Sequence, residues 1–177
     1  YSGYSAVLRA GNLKLRSWEA QAADEFSRTE GGFSRFNFDV NHVSKLSKVT
    51  QFYIFAHGQL ANRNLDSSEQ FYLGGADAVR AYPQGEAGGD SGYQATAELR
   101  YQTPVKGMSM TLFADVGEVL ARKDGDTSDP HRRLAGWGIG AVYSLDRSLY
   151  ARLDYARKIK GESYRSEAED KNGRLWF

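Results

Sequence analysis

The chain has 177 residues, 23 basic and 22 acidic, with a net charge of +1, no cysteine, 13% aromatics and 19 glycines. This length fits one domain with a core of its own; the near-neutral charge offers no footprint for nucleic acid, and the lack of cysteine excludes disulfides and thiolate zinc sites. No run approaches the roughly 18 apolar residues of a membrane helix, but a membrane β-strand hides only alternate residues in lipid and escapes that test.

The chain opens YSGYSAVLRA, with no Met and no basic segment leading into an apolar stretch. No signal peptide is expected at Tyr1, and the sequence reads as a mature or truncated piece of a longer protein. A weak strand lies within 4 to 16, followed by a long connection over 17 to 32. In 35 to 42, Phe36, Phe38 and Val40 alternate with Arg35, Asn37, Asp39 and Asn41. In 51 to 60, Phe52, Ile54, Ala56 and Leu60 alternate with Gln51, Tyr53, Phe55, His57 and Gln59. A period of two predicts a strand in each case.

After a long connection over 63 to 91, Tyr93, Ala95, Ala97, Leu99 and Tyr101 share one face of the next strand, opposite Gln94, Thr96, Glu98 and Arg100. A short hairpin turn over 103 to 107 leads to 108 to 117, where Met108, Met110, Leu112, Ala114 and Val116 oppose Ser109, Thr111, Phe113, Asp115 and Gly117. In 134 to 145, Ala135, Trp137, Ile139, Ala141 and Tyr143 face away from Gly136, Gly138 and Gly140. The run 149 to 158 alternates likewise, and an eighth strand ends at Phe177.

The connections alternate in length: 46–49, 103–107 and 146–148 are short, while 17–32, 63–91, 122–132 and 160–172 are long. All long loops then fall on one side, as in an outer-membrane barrel with short periplasmic turns and long external loops. A soluble lipocalin-like barrel would turn the same apolar face inward around a ligand, and periodicity alone does not choose between the two. A small closed eight-stranded barrel acting as an anchor or adhesin is a further alternative.

Other chemistry is poorly supported. His42, His57 and His131 lack metal-ligand spacing, and Asp124-Gly125-Asp126 lacks the remaining oxygen ligands of a calcium loop. Gly74-Gly75 and the glycines at 85, 88 and 89 precede a strand, not the helix a phosphate cradle needs. Glu167, Glu169, Asp170 and Lys171 read as a charged external loop. No nucleophile sits beside a base, so neither an enzyme nor a cofactor or metal is expected.

The connection over 63 to 91 is too long for a plain turn, and Phe71, Tyr72, Leu73, Val79 and Tyr82 need something to pack against. The stretch FYLGGADAVRAYPQGEAGGDSGYQATAELRY, residues 71 to 101, resembles the signature of two-partner secretion transporters of the ShlB/FhaC/HecB haemolysin secretion and activation type. The likeness runs through Leu73-Gly74-Gly75, Val79-Arg80-Ala81-Tyr82, Gly85-Glu86, Gly89-Asp90 and Glu98-Leu99-Arg100-Tyr101. Barrel-assembly insertases share the Val-Arg core and are the related alternative. Ala81 stands where the family commonly has glycine, which puts a positive φ there in doubt. Phe113-Ala114-Asp115-Val116-Gly117 resembles the family's Phe-x-Asp-x-Gly strand motif, and the resemblance covers residues 33 to 177 with decreasing specificity.

The resemblance implies a Gram-negative outer-membrane pore that secretes an unfolded haemolysin- or adhesin-type exoprotein. The long loop would fold into the lumen and bring Arg80 to Asp115, with Glu98 and Arg100 on the lumen wall. Ending on Phe177 with Leu175 two before it resembles the carboxy-terminal signal by which the barrel-assembly machinery inserts such proteins into outer-membrane lipid; a terminal aromatic on an edge strand reads equally well in isolation. Eight strands enclose only side chains, whereas about 16 leave an aqueous channel. The resemblance therefore implies that residues 1 to 177 are the second half of a 16-stranded antiparallel barrel, otherwise preceded by a signal peptide, a plug helix and POTRA domains.

Overall fold

The structure, a computed structural model, describes residues 1–121, 131–145, 149–159, 163–167 and 171–177. The Asp124-Gly125-Asp126 run, the turn at 146–148, and Glu169 and Asp170 lie outside the described residues.

Among the described residues there are ten strands: β1 (Ser2–Leu13), β2 (Gly31–Lys45), β3 (Thr50–Ala61), β4 (Phe71–Leu73), β5 (Ala87–Gly89), β6 (Ser91–Gln102), β7 (Met108–Leu120), β8 (His131–Leu145), β9 (Leu149–Lys158) and β10 (Gly173–Trp176). All but β4 and β5 join one eight-stranded sheet in the order β1-β2-β3-β6-β7-β8-β9-β10, with every pairing antiparallel. This is an up-and-down meander whose strands fall on the expected runs; several are longer than expected, above all β2, which begins at Gly31 and ends at Lys45, while β9 keeps the expected bounds and β1 ends at Leu13, short of residue 16. The sheet does not close on itself among the described residues: β1 and β10 stand at its two ends. It is an arc of a barrel, not a small closed one.

The question periodicity left open is answered by exposure. Leu112 and Ile139 are each 52% exposed, and Val40, Ile54, Leu99, Val116, Trp137, Leu153 and Tyr155 join them on the outside. The opposite faces carry buried Gln94, Glu98, Phe113, Asp115, Leu134, Asp154 and Ala156. The apolar face therefore points away from the loop-filled side, as a lipid-facing band does, and the lipocalin-like arrangement is reversed. No helix among the described residues is long and apolar enough to cross a membrane, which says nothing about strands that cross.

The buried apolar cluster lies between the sheet's inner face and the long loop: Phe71, Leu73, Val79, Ala81, Tyr82 and Ala87 from the loop side meet Phe113, Val119, Leu134 and Ala156 from the strands. The core is thus the loop itself, seated inside the arc.

One long connection is not irregular. Residues Trp18–Ser27 form a helix, α1, capped by Ser17, whose Oγ accepts from the Ala20 N–H at 3.2 Å, and ended by Arg28 in the left-handed region at φ 51°. The Asp24 carboxylate accepts hydrogen bonds from Thr29 N–H, Thr29 Oγ1 and Ser27 Oγ. Burial works against its ionisation, but these bonds more than offset that and hold it well below the usual carboxylate range. The helix buries no residue, so capping holds it rather than packing.

Candidate functional site

The long loop is a small hairpin with a folded tip. Phe71 pairs with Gly89 and Leu73 with Ala87, leaving residues 74 to 86 as the tip. Gly74 and Gly75 take φ of +88° and +118°, conformations closed to most side chains, and turn the chain out of β4. Two turns follow, with Ala78 N–H donating to Gly75 O at 3.2 Å and Tyr82 N–H to Val79 O at 3.1 Å. Gly75 N–H then donates to Tyr82 O at 3.1 Å, closing the tip on itself. Arg80 occupies the corner of the second turn. Ala81 keeps a negative φ, so its departure from glycine carries no backbone strain.

Arg80 is 3% exposed and Asp115 1% exposed. Arg80 Nε donates to Asp115 Oδ2 at 2.9 Å and Nη2 to Oδ1 at 2.8 Å, the two parallel bonds of a fork-on-carboxylate pair. The Arg80 backbone N–H donates to Oδ2 at 3.1 Å and Thr96 Oγ1 to Oδ1 at 2.9 Å, so one carboxylate fixes both the side chain and the turn that carries it. The guanidinium's remaining nitrogen, Nη1, lies 3.0 Å from Glu98 Oε1 and 3.6 Å from Asp154 Oδ2.

The two outer acids are themselves shared. Arg100 Nη2 lies 2.7 Å from Glu98 Oε2, and Arg152 Nη2 lies 2.6 Å from Asp154 Oδ2. Three arginines thus meet three carboxylates, and the charges balance once the half-exposed Arg100 and Arg152 are counted with the buried Arg80, Glu98, Asp115 and Asp154. Geometry this complete is what lets ion pairs offset their desolvation, and removing one member leaves the rest uncompensated. Lysine could supply the charge but not the fork.

The strand motif now has a physical account. Phe113 lies flat beneath Arg80, its ring centroid 3.3 Å from Cζ. Asp115, two residues on, faces the same side and takes the fork. Gly117, two further, leaves room for Leu73: a Cβ there would come within 2.6 Å of Leu73 Cδ2. The glycine face of β8 does the same for the tip, since a Cβ on Gly136 would lie 2.6 Å from Ala81 Cβ. That all-small face was visible in the sequence, but its purpose was not.

Further partners come from far along the chain. Trp176 Nε1 donates to Arg80 O at 2.7 Å, and Tyr164 Oη donates to Ala81 O at 2.8 Å. Tyr82 and Tyr164 meet edge to face at 5.7 Å. The Glu86 carboxylate is held by Arg132 Nη2, Ser166 Oγ and the N–H groups of Arg165 and Ser166. Burial works against its ionisation, but the bonds from Ser166, Arg165 and Arg132 prevail and hold it below the ordinary range. At the loop's base, Asp90 accepts from Leu65 N–H at 3.0 Å and Gln70 Nε2 at 3.2 Å, while its own N–H donates to Leu120 O at 2.9 Å. Gly89 lies against the end of β7 beside Val119.

The structure therefore brings Arg80, Val79, Tyr82, Gly74, Gly75, Gly89, Asp90, Asp115, Phe113, Gly117, Glu98 and Arg100 into one assembly. Leu175 and Phe177 stand apart from it on the exposed side, at 53% and 100% exposure. Asp154, Trp176, Tyr164 and Arg132 belong to the assembly without having been singled out, and Glu86, named only as part of the loop motif, joins them. Asp154 lay on the polar face of its strand, the one signal that could have found it. Among the described residues no cluster of acidic and histidine side chains could hold a metal ion.

A family model described as haemolysin secretion/activation protein ShlB/FhaC/HecB matches residues 10–143. The haem/haemopexin transporter protein HuxB of Haemophilus influenzae strain Rd is 32% identical over 111 residues, covering 60% of this chain and 20% of its own length. HuxB of strain 86-028NP matches equally. The chain thus spans about a fifth of the curated relatives it matches. Among solved structures, CdiB from Acinetobacter baumannii superposes with a TM-score of 0.58 at 22% identity, over 75% of this chain and 24% of that one, a likeness of fold. The chain belongs to the ShlB/FhaC/HecB haemolysin secretion/activation family, the two-partner secretion transporters of the Gram-negative outer membrane.

Proposed function

We propose that residues 1 to 177 form the carboxy-terminal half of a 16-stranded secretion pore, and that the loop over 63 to 91 holds the lumen in its working conformation while an unfolded exoprotein of haemolysin or adhesin type passes. The observation that carries this is the buried fork between Arg80 at the loop tip and Asp115 on the wall. A loop seated only by apolar contacts could sit at several heights; a guanidinium with three carboxylates around it has one seat.

Several features support the half-barrel. The free edges of β1 and β10 cannot face lipid unpaired, and a closed eight-stranded barrel would leave no space for the loop. The share of the relatives' length that this chain covers leaves ample chain for eight more strands and the plug and POTRA domains. In this view outer-membrane lipid contacts the exposed apolar band, and Leu175 and Phe177 form the signal read by the barrel-assembly machinery.

The test is export from whole cells by the complete transporter carrying Arg80→Ala. Export of the exoprotein should fall to a small fraction while the barrel remains in the outer membrane. Export at the parent level would show that the loop has no such role.

A further inference from the structure

The long loop occupies only one side of the inner face. Its hairpin packs on β6 and β7, and its tip covers Asp115, Asp154 and Ala156 of the wall from β7 to β9. Between the loop and the wall made by β1, β2 and β3 lies a hollow of about 480 Å³.

Its lining has a distinct chemistry. Five primary amides line it: Asn37 and Gln59 from β2 and β3, Gln70 and Gln84 from the loop, and Gln94 from β6. Gln59 is buried with its hydrogen bonds already made to Arg35, Asn37, Glu69 O and Asp90 O, which leaves the other four to meet a ligand. The lining also carries two cations, Arg9 and Arg35, and two anions, Asp39 and Asp77; Arg35 is paired with Glu69 behind the lining at 2.7 Å, and Asp39 with His57 at 2.6 Å. A small-molecule pocket would be mainly apolar and aromatic, and an ion-selective pore would present rings of one sign. A primary amide both donates and accepts, whatever it meets. A wall of amides with balanced charges suits a ligand whose donors and acceptors repeat along its length while its side chains vary, which describes the main chain of an extended polypeptide.

A second opening on the inner face is built differently. A hollow of about 360 Å³ lies beside Glu98, Arg100, Thr111, Arg152 and Asp154, and Arg80 is part of its lining. A chain rising through it would meet the loop tip and have to break the Arg80 pairs to continue.

We propose that, at the level of the Arg80 loop, the exported polypeptide runs through the amide-lined hollow between that loop and the wall of β1 to β3, on the side of the lumen the loop leaves free. This rests on the secretion function proposed above and adds to it a path and a mode of contact: sequence-tolerant hydrogen bonding to main chain. The wall need not open for passage, and the loop need not leave its seat.

Disulfide trapping tests this, and the lack of cysteine in this chain makes each introduced thiol unambiguous. The complete transporter, otherwise cysteine-free, is reconstituted in planar bilayers with Arg9→Cys, Asn37→Cys or Thr111→Cys. The probe is a peptide of about 40 residues of disordered Gly, Ser, Asn and Lys composition with one cysteine activated as its mixed disulfide with 2-thiopyridine, so that attack by the introduced thiolate releases thiopyridone. Labelling each thiol with a small maleimide corrects for its accessibility and reports that the barrel is folded. Mixed disulfides should form several-fold faster at Arg9→Cys and Asn37→Cys than at Thr111→Cys. An equal or higher rate at Thr111→Cys overturns the path, as does peptide blockade of the pore current without disulfides at any of the three. Neither blockade nor disulfides would overturn the path and the secretion function together.

Discussion

At the residue scale, the seat of the loop depends on both a fork and a fit. Arg80 and Asp115 were legible because two motifs named them and the alternation put Asp115 on the polar face; Glu98 followed from the same parity. Asp154 and Trp176 were not legible as partners of Arg80, since their contacts span much of the chain and exist only once the sheet has curved round to bring β9 and β10 to the loop. The fit is carried by Gly136 against Ala81. Gly136→Ala should push the tip from the wall and lower barrel stability by about 1 to 3 kcal/mol, the usual cost of overpacking. Adding Ala81→Gly should recover most of it. Equilibrium unfolding in detergent checks both variants, and a failure of the second substitution to rescue the first would count against this contact.

At the scale of elements, two pieces of structure were hidden inside what read as connections. The hairpin of β4 and β5 is too short for a period-two signal, and its pairing is fixed by the tip between them. The helix α1 has no apolar stripe to reveal it, only caps. The external segment 163 to 167 gains its role from Glu86, which it meets in space and not in sequence. Because hydrogen bonds lower the Glu86 pKa in the folded state, their stabilisation is fully present above the ordinary value of 4.5 and is lost as pH falls through the lowered one. The amide protection factor at residues 163 to 167, the exchange rate of an unstructured chain at the same pH relative to the observed rate, should therefore stay high at neutral and mildly acidic pH and fall only below about pH 4.5. Glu86→Gln should make the protection factor low and nearly independent of pH over that range. Protection in Glu86→Gln equal to that of the parent would mean that Glu86 does not hold the segment.

At the scale of the whole molecule, the chain is an arc with its apolar side out and its core in the lumen. The number and order of strands in the main sheet and the alternation of short and long connections could be read from the sequence, because a two-residue period survives in those eight strands whatever they face. Which face lies outside could not, since lipid and a packed interior select the same side chains; exposure of Leu112 and Ile139 decided it. Leu112→Arg should cost about 2 to 4 kcal/mol of folding free energy in lipid bilayers, as a charge near mid-membrane does, while Thr111→Arg on the adjacent inward position should cost little. Refolding of the complete transporter into vesicles measures the difference, and equal costs would contradict the assignment of faces.

The most direct measurement of the central claim is a double-mutant cycle between the loop tip and the wall. Unfolding free energies and export are measured for the complete transporter with Arg80→Ala, with Asp115→Ala and with both. The predicted result is a coupling of about 2 to 3 kcal/mol, with the double variant little worse than either single one and export lost in all three. Costs that add to within about 0.5 kcal/mol, with export retained in either single variant, would contradict it.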